Sequence, residues 1–166
     1  CHNASLVNGA CDGVPYEDVL AFLRKRAGIL DGVCITGGEP TLYGERLTEL
    51  IKEIKELGYL VKLDTNGTHP ELVEKLIDSS LIDYVAMDVK TRITDEDYKK
   101  ICCRSIDTKI ILESIALLKE GRIGYEFRTT LVKEFHGESE ILDIAKALEG
   151  ASAYYLQHFV DSGELI

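Results

Sequence analysis

The sequence predicts an α/β fold whose parallel sheet curves into an incomplete barrel. Short apolar runs alternate with longer helical patterns along the chain, which is typical of βα units and a parallel sheet. Polar residues also recur at alternate positions of several predicted strands, as expected where strands line a lumen that binds a polar ligand. Five predicted strands are too few for a closed barrel, so the barrel is expected to be partial or to lack an N-terminal strand. An open doubly wound sheet is the alternative.

Six helices are predicted from apolar spacing and from the residues that begin or end them. The clearest spans residues 45–57, where apolar side chains recur on one face and Gly58 follows directly. Pro15 and Pro70 suit the first turn of a helix. The predicted ranges are residues 16–26, 45–57, 71–79, 95–101, 108–120 and 138–149.

Five strand candidates lie between these helices, and each is short and rich in apolar or β-branched residues. Their ranges are residues 32–36, 59–64, 84–87, 125–131 and 153–159. Lys62 and Asp64 share one face of the second strand, and Glu126, Arg128 and Thr130 share one face of the fourth. Strands covered on both faces would be apolar on both sides, so this pattern favours a barrel with a polar interior.

Composition limits the classes of function. The 166 residues include 29 acidic and 19 basic side chains, a net charge of −10, and fit a single domain over residues 1–166. The acidic charge argues against nucleic acid as a partner, and no apolar stretch reaches the roughly 20 residues of a membrane span. Five cysteines without paired spacing indicate a reducing, cytoplasmic location. Because the chain begins with Cys1 and not Met, an upstream segment is expected to be missing.

Most cysteines and histidines other than Cys1 are expected to have structural roles or to lie in loops, and not to bind a metal. Cys34 lies in the middle of the first predicted strand and is expected to be buried as a small apolar residue. Cys102 and Cys103 are adjacent, which is poor geometry for two ligands of one metal. His69 and His136 are expected to be exposed loop residues.

Every predicted strand leads into a polar or glycine-rich step. In parallel βα folds the carboxyl ends of the strands meet at one edge, where ligands bind. A pair of glycines there would let the backbone approach a ligand closely. No phosphate-loop or dinucleotide-binding motif is present. The steps are Gly37-Gly38-Glu39-Pro40, Asp64-Thr65-Asn66-Gly67, Asp88-Val89-Lys90, Arg128-Thr129-Thr130 and Gln157-His158.

Several segments together carry a resemblance to a known family. They are Cys1-His2-Asn3, Thr36-Gly37-Gly38-Glu39-Pro40-Thr41, Leu63-Asp64-Thr65-Asn66-Gly67, Met87-Asp88-Val89-Lys90, Glu126-Phe127-Arg128-Thr129-Thr130 and Leu156-Gln157-His158-Phe159. In this order and spacing the chain resembles radical S-adenosylmethionine enzymes, and within them the activating enzymes for glycyl-radical proteins. The last two segments are most similar to the activating proteins of anaerobic ribonucleoside-triphosphate reductases.

The resemblance implies a (β/α)6-type barrel whose first strand is missing from the chain. It also implies a four-iron (4Fe-4S) cluster on a CxxxCxxC loop, where Cys1 matches the third cysteine and is the metal-binding, catalytic residue. One electron from a reducing partner, passed through the cluster, cleaves S-adenosylmethionine to a 5′-deoxyadenosyl radical. That radical takes hydrogen from a glycine Cα of the partner reductase.

The resemblance also assigns residues to the cofactor. Gly37, Gly38 and Glu39, stiffened by Pro40, match the turn that binds the methionine amino group. Asp64 matches a carboxylate that contacts the same group.

Lys90 would pair with the methionine carboxylate, and Asp64, Thr65 and Asp88 look like oxygen ligands for a monovalent cation. Asn66 belongs to the same segment and is expected mainly to shape its turn.

Arg128 and the pair Gln157-His158 would contact the ribose, the adenine or the entering glycine loop. Two simpler explanations stay open at this point. Asp88 and Lys90 could form only a mutual surface ion pair, and Arg128 could instead neutralise Glu126.

Three functions are therefore considered. The first is an activating enzyme that installs a glycyl radical on an anaerobic reductase. The second is a radical S-adenosylmethionine enzyme that acts on a small molecule or nucleoside. The third is a binding or scaffold domain on the same fold without a cluster.

Overall fold

The computed structural model describes residues 13–160, in which helices and strands alternate as predicted. The helices are α1 (Tyr16–Arg26), α2 (Glu45–Glu56), α3 (Pro70–Asp78), α4 (Asp95–Cys102), α5 (Thr108–Lys119) and α6 (Glu138–Ala147). The strands are β1 (Gly32–Ile35), β2 (Leu60–Thr65), β3 (Tyr84–Asp88), β4 (Gly124–Leu131) and β5 (Tyr154–His158). Each boundary lies within two residues of the predicted one.

Local signals in the sequence explain where the helices begin and end. The side chains of Thr94 and Asp107 accept backbone N–H groups at the starts of α4 and α5. The glycines predicted to end three helices all have positive φ, at Gly58, Gly121 and Gly150. None of the helices in residues 13–160 has the length and apolar character that crossing a membrane requires.

The sheet topology decides between the two predicted architectures. All five strands are parallel, and their order in the sheet follows their order in the sequence. Right-handed crossovers then place every connecting helix on the same face of the sheet. A doubly wound sheet would reverse its strand order and carry helices on both faces. The described residues therefore form an arc of a parallel barrel, while the additional N-terminal strand stays a prediction.

The hydrophobic core lies between the sheet and the helices. Alternate residues of β2, β3 and β4 are buried there, including Leu63, Val85 and Phe127, each with no exposed surface. Ile51 of α2 and Ile111 of α5 are equally buried on the helical side. Full burial of such side chains contributes about 1.5–3 kcal/mol each, so this face fixes the positions of the strands.

The opposite, concave face of the sheet carries the polar residues that the alternation predicted. Lys62, Asp64, Glu126 and Arg128 are half-buried there. The prediction that Cys34 is buried is wrong, because its side chain is exposed on this same face. Cys34 pairs with Lys62 across the β1–β2 ladder, which gives the two side chains the same orientation. The sequence pattern of one short strand could not establish that register.

Gly67 follows β2 in a turn where a side chain would be costly. Its φ is +76°, and a Cβ at this position would overlap Cε of the fully buried Met87. We expect Gly67→Ala to lower the free energy of unfolding by about 2–3 kcal/mol through backbone strain and overpacking. Gly121→Ala is the matched control, because Gly121 has φ of +70° but open space around it. Its expected cost is about 1 kcal/mol.

Urea denaturation of both glycine variants measures the difference. Equal losses in the two variants would mean that the Met87 side chain moves aside without cost, and would contradict the expected overpacking.

Candidate functional site

The predicted site residues within residues 13–160 gather at the carboxyl edge of the sheet, where the strands end. Parallel pairing places Asp88 at the end of β3 directly opposite Arg128 of β4. Asp64, near the end of β2, pairs with Ala86 in the neighbouring strand. Because Asp64, Asp88 and Arg128 all face the concave side, three neighbouring strands contribute charged groups to one place.

Arg128 links the two aspartates. Its Nη1 lies 3.2 Å from Oδ2 of Asp64, and its Nε lies 3.0 Å from Oδ1 of Asp88. Only 14% of the Arg128 side chain is exposed. Burial alone would lower the pKa of its guanidinium, but Asp88 and Asp64 outweigh that effect and raise the pKa. Arg128 is therefore a fixed cation that joins the ends of β2 and β3 to β4.

Two lysines extend this row of charges. Lys90 Nζ lies 2.7 Å from Oδ2 of Asp88, and Lys62 Nζ lies 3.1 Å from Oδ1 of Asp64. The ion pair between Asp88 and Lys90 is thus present, but it is continuous with Arg128 and is not an isolated surface pair.

Arg128 does not neutralise Glu126 in this structure. Glu126 Oε1 is 3.8 Å from Lys62 Nζ, and its Oε2 accepts a hydrogen bond of 3.0 Å from the Tyr84 hydroxyl. Burial and the bond to Glu126 raise the pKa of Tyr84 to about 12. The hydroxyl therefore keeps its proton at neutral pH and donates a hydrogen bond to Glu126.

Glu39 connects the glycine turn after β1 to the end of β2. Its buried carboxylate accepts hydrogen bonds from the Thr41 backbone N–H at 3.2 Å and the Thr41 hydroxyl at 2.5 Å. It also accepts from the Thr65 hydroxyl at 2.8 Å and the Asn66 backbone N–H at 2.7 Å. The carboxylate is thus engaged by protein donors, and the place of Glu39 in a ligand-binding turn stays a prediction.

A short 3-10 helix, Pro40–Tyr43, follows this turn and was not predicted. Pro40 and Thr41 are buried in it, and the bonds from Thr41 to Glu39 cap its first turn. Pro40 is thus a buried residue that restricts the backbone where the turn enters the 3-10 helix.

Gly37 and Gly38 leave open space beside the turn. Gly37 has φ of +138°, which favours glycine. A Cβ built at either residue would meet no atom of residues 13–160 within 4 Å. The turn is therefore a cradle that a ligand can approach closely.

The segment after β2 is a tight turn. Asn66 Oδ1 accepts from the backbone N–H and the hydroxyl of Thr68, at 3.0 and 2.7 Å. The Thr65 hydroxyl accepts from the N–H of Gly67 while donating to Glu39. This pattern fixes the backbone next to Asp64.

Gln157 and His158 lie on β5, where successive side chains alternate between the two faces. Gln157 pairs with Thr130 and accepts a long hydrogen bond of 3.4 Å from its hydroxyl. His158 pairs with Leu131 and has the opposite orientation. The side chains of Gln157 and His158 therefore point to opposite faces of the sheet, and their shared contact with a ligand stays a prediction.

The exposure predicted for two histidines is wrong, whereas their placement in loops is correct. His69 and His136 were expected to be exposed loop residues, but both are half-buried and hydrogen-bonded. His69 Nδ1 lies 2.8 Å from the Thr41 hydroxyl. His136 contacts the backbone of Lys90 and of Val132. Their partners are distant in sequence or in loops, so no periodicity or spacing could reveal these contacts.

The metal prediction falls on a part of the chain that the structure leaves undescribed. Cys1, the predicted cluster ligand, lies outside the described residues. Within residues 13–160, no three or more His, Cys, Asp or Glu side chains group in a way that could bind a metal ion.

Comparison with known proteins identifies relatives over nearly the whole chain. Residues 1–148 match the model of the radical SAM superfamily. A Methanocaldococcus jannaschii protein, named provisionally as a glycyl-radical enzyme activating enzyme, is 40% identical over 166 residues. The match covers 96% of this chain and 66% of that protein.

A second relative is named for a different substrate. A 7-carboxy-7-deazaguanine synthase from Thermococcus kodakarensis is 38% identical over 107 residues, which cover 63% of this chain and 39% of that enzyme. The chain therefore spans under two thirds of the length of both curated relatives.

A solved structure supports the fold. Streptococcus suis SuiB bound to S-adenosylmethionine matches with a TM-score of 0.70 at 17% sequence identity. The match covers 91% of this chain and 35% of that chain. At this identity the likeness concerns the fold alone, and it agrees with the arc of parallel strands.

Proposed function

Because the chain belongs to the radical SAM superfamily, we propose that it activates a glycyl-radical enzyme, specifically an anaerobic ribonucleoside-triphosphate reductase. The proposal is supported by the 40% identical relative, which is named as an activating enzyme for glycyl-radical enzymes. The family implies a 4Fe-4S cluster and S-adenosylmethionine as cofactors. We propose Cys1 as one ligand of that cluster and a low-potential one-electron donor as a further partner in the cytoplasm.

The carboxyl edge fits the methionine part of S-adenosylmethionine, which carries an ammonium and a carboxylate. The open cradle at Gly37 and Gly38 offers backbone groups to the ammonium, and Asp64 offers a carboxylate. Lys90, with 38% of its side chain exposed, offers the cation for the carboxylate. When bound and supplied with one electron, the cluster and S-adenosylmethionine would supply reductive cleavage of the sulfonium, with methionine and 5′-deoxyadenosine as products once hydrogen has been taken from a glycine Cα.

The chain's own residues then have defined tasks. Arg128 keeps Asp64 and Asp88 in place before a ligand arrives, since it bonds to both. A monovalent cation at Asp64, Thr65 and Asp88 would compete with Arg128 and Lys90 for some of the same oxygens. We assign Gln157 and His158 to the ribose, the adenine or the incoming glycine loop.

The observation that carries the choice of a protein substrate is the charge balance of the concave face. Within the part of the chain that the structure describes, three cations and three carboxylates of this face pair with one another: Lys62, Lys90, Arg128, Asp64, Asp88 and Glu126. The methionine ammonium and carboxylate of S-adenosylmethionine bring one charge of each sign, so they can enter this network together. A further charged small molecule would have to break such pairs and leave a partner uncompensated. An uncharged peptide loop around a glycine makes no such demand.

The second candidate is a radical SAM reaction on a small molecule. It is favoured by the 38% identity to a 7-carboxy-7-deazaguanine synthase. The two candidates share the cofactors and differ only in the molecule that loses hydrogen.

The test uses the full-length protein with its cluster reconstituted under anaerobic conditions. We expect a reductant and S-adenosylmethionine to give 5′-deoxyadenosine, measured by chromatography, and a candidate reductase to show a glycyl radical by EPR. Without 5′-deoxyadenosine the radical mechanism is wrong. If 5′-deoxyadenosine forms but candidate reductases acquire no radical while a small molecule is converted, the second candidate replaces the first.

Two lysine substitutions test the assignment of Lys90 to the methionine carboxylate. We expect Lys90→Ala to weaken S-adenosylmethionine binding about 10- to 100-fold, because a charge-assisted contact is lost. Lys133→Ala, an exposed lysine in the loop after β4, is the matched control and should leave the Kd unchanged. Equal affinities in the two variants, measured by equilibrium dialysis, would exclude Lys90 from the site.

A further inference from the structure

The loop after β4 contributes a histidine that reaches the segment following β3. His136 Nε2 lies 2.9 Å from the backbone carbonyl oxygen of Lys90. On the other side of the ring, Nδ1 lies 3.0 Å from the backbone nitrogen of Val132. His136 thus joins two loops that are 46 residues apart in sequence.

The partners of His136 define its tautomer. A backbone N–H can only donate, so Nδ1 of the ring accepts the hydrogen bond from Val132. A carbonyl oxygen can only accept, so Nε2 carries the hydrogen and donates to Lys90. Nδ1 also lies 3.2 Å from the Val132 carbonyl oxygen, a contact that would need hydrogen on Nδ1. Hydrogen on Nε2 instead satisfies the shorter contact to the Val132 nitrogen and the contact to the Lys90 carbonyl at once.

Lys90 lies where the sheet no longer fixes the backbone. Strand β3 ends at Asp88, and the next two residues are held by individual contacts. The Val89 N–H donates to the carbonyl of Arg128 at 2.8 Å, and the Thr129 hydroxyl donates to the carbonyl of Val89 at 2.7 Å. The hydrogen bond from His136 to the Lys90 carbonyl is a third such contact, one residue further along the backbone.

The side chain of Lys90 has its own anchor. Its ammonium lies 2.7 Å from Asp88, which Arg128 fixes from the other side. The Lys90 side chain is still 38% exposed, so the ammonium can turn to a ligand without moving its backbone. The position of this ammonium therefore depends on Asp88, which contacts the side chain of Lys90, and on His136, which contacts its backbone carbonyl.

We propose that His136 is a positioning residue that sets where Lys90 presents its ammonium to the carboxylate of S-adenosylmethionine. The inference rests on the proposed function, which assigns that carboxylate to Lys90. His136 acts through the backbone of Lys90 and is not itself a contact of the cofactor.

Three substitutions of His136 test whether the contact made by Nε2, rather than the one made by Nδ1, determines binding. The amide nitrogen of glutamine can occupy the place of Nε2 and donate to the Lys90 carbonyl, whereas that of asparagine corresponds to Nδ1 and does not reach it. We expect His136→Ala and His136→Asn to weaken S-adenosylmethionine binding about tenfold, the value of one hydrogen bond. His136→Gln should stay within about threefold of the wild type. The Kd is measured on the full-length protein with its cluster, at one pH.

A double-mutant cycle distinguishes positioning from general stability. In a Lys90→Ala background, His136→Ala should change the Kd less than about twofold, because the group that His136 positions is already absent. Hydrogen–deuterium exchange of residues 88–93 in the cofactor-free protein should be faster for His136→Ala than for His136→Gln. This second readout does not depend on activity.

The outcomes identify which idea fails. Additive losses in the cycle, or equal binding by the asparagine and glutamine variants, would overturn the positioning role and leave the proposed function intact. A wild-type protein that binds no S-adenosylmethionine would overturn the proposed function, and the inference with it.

Discussion

Replacing Arg128 by methionine is expected to lower the free energy of unfolding by about 3 kcal/mol and to abolish measurable binding of S-adenosylmethionine. Arg128 is largely buried and bonds to both Asp64 and Asp88. Its loss removes the cation that the two carboxylates share and leaves each with a single, more exposed lysine, Lys62 or Lys90, as its partner. Removing one member of a buried charge cluster typically costs about 3–5 kcal/mol, and the partial exposure of the aspartates places the expected value at the lower end. Urea denaturation at neutral pH measures the loss.

Arg122 supplies the matched control for this prediction. It also lies near three carboxylates, on Glu74, Asp78 and Glu120, but these are more than half exposed. Arg122→Met should therefore cost less than about 1 kcal/mol. Arg128→Lys should recover part of the stability, because a lysine keeps the charge but cannot reproduce the two-pronged contact. If Arg128→Met and Arg122→Met lose the same stability, burial of the Arg128 cluster is not what stabilises the edge.

Glu39→Ala is the second substitution with a large expected effect, again about 3 kcal/mol. Four donors lose their acceptor: the N–H and hydroxyl of Thr41, the hydroxyl of Thr65 and the N–H of Asn66. A buried donor left unpaired costs about 1–3 kcal/mol, and water entering the space offsets part of the sum. The Gly37–Gly38 turn loses its connection to β2, so binding of S-adenosylmethionine should fall with the stability.

Glu39→Gln separates shape from hydrogen bonding. Its amide oxygen can keep the three contacts of Oε1, while its amide nitrogen meets the N–H of Asn66, so we expect a loss of about 1–2 kcal/mol. Glu45→Ala removes an exposed carboxylate with one lysine partner and should cost less than about 1 kcal/mol. Thermal and urea unfolding of the three variants give the ranking. A glutamine variant as unstable as the alanine variant would contradict this assignment.

The elements of the fold could be predicted because their signals are local. Helix ends depend on glycines such as Gly58 and on prolines such as Pro70, whose effects reach only a few residues. The five strands also follow from short-range composition, and polar alternation correctly indicated the concave face. What the sequence left open was the strand order, which depends on pairing between segments far apart.

The candidate site was predicted as a location but not as a set of contacts. The strand-end rule brought Asp64, Asp88 and Arg128 together correctly, because parallel strands end at one edge. The partners of Glu39 lie up to 27 residues away, and those of His136 up to 46. Such contacts follow from register and loop packing, which periodicity does not encode.

The thiol on the concave face has a chemical consequence for oxidative damage. Although its side chain is exposed, desolvation by the surrounding protein and the charge of Asp64 raise the pKa of Cys34 above its ordinary value. Because the thiolate is the form that reacts with oxidants and alkylating agents, a raised pKa slows both reactions at neutral pH. We therefore expect Cys34, whose S–H donates to Oδ1 of Asp64, to react more slowly with oxidants than an exposed cysteine with an ordinary pKa.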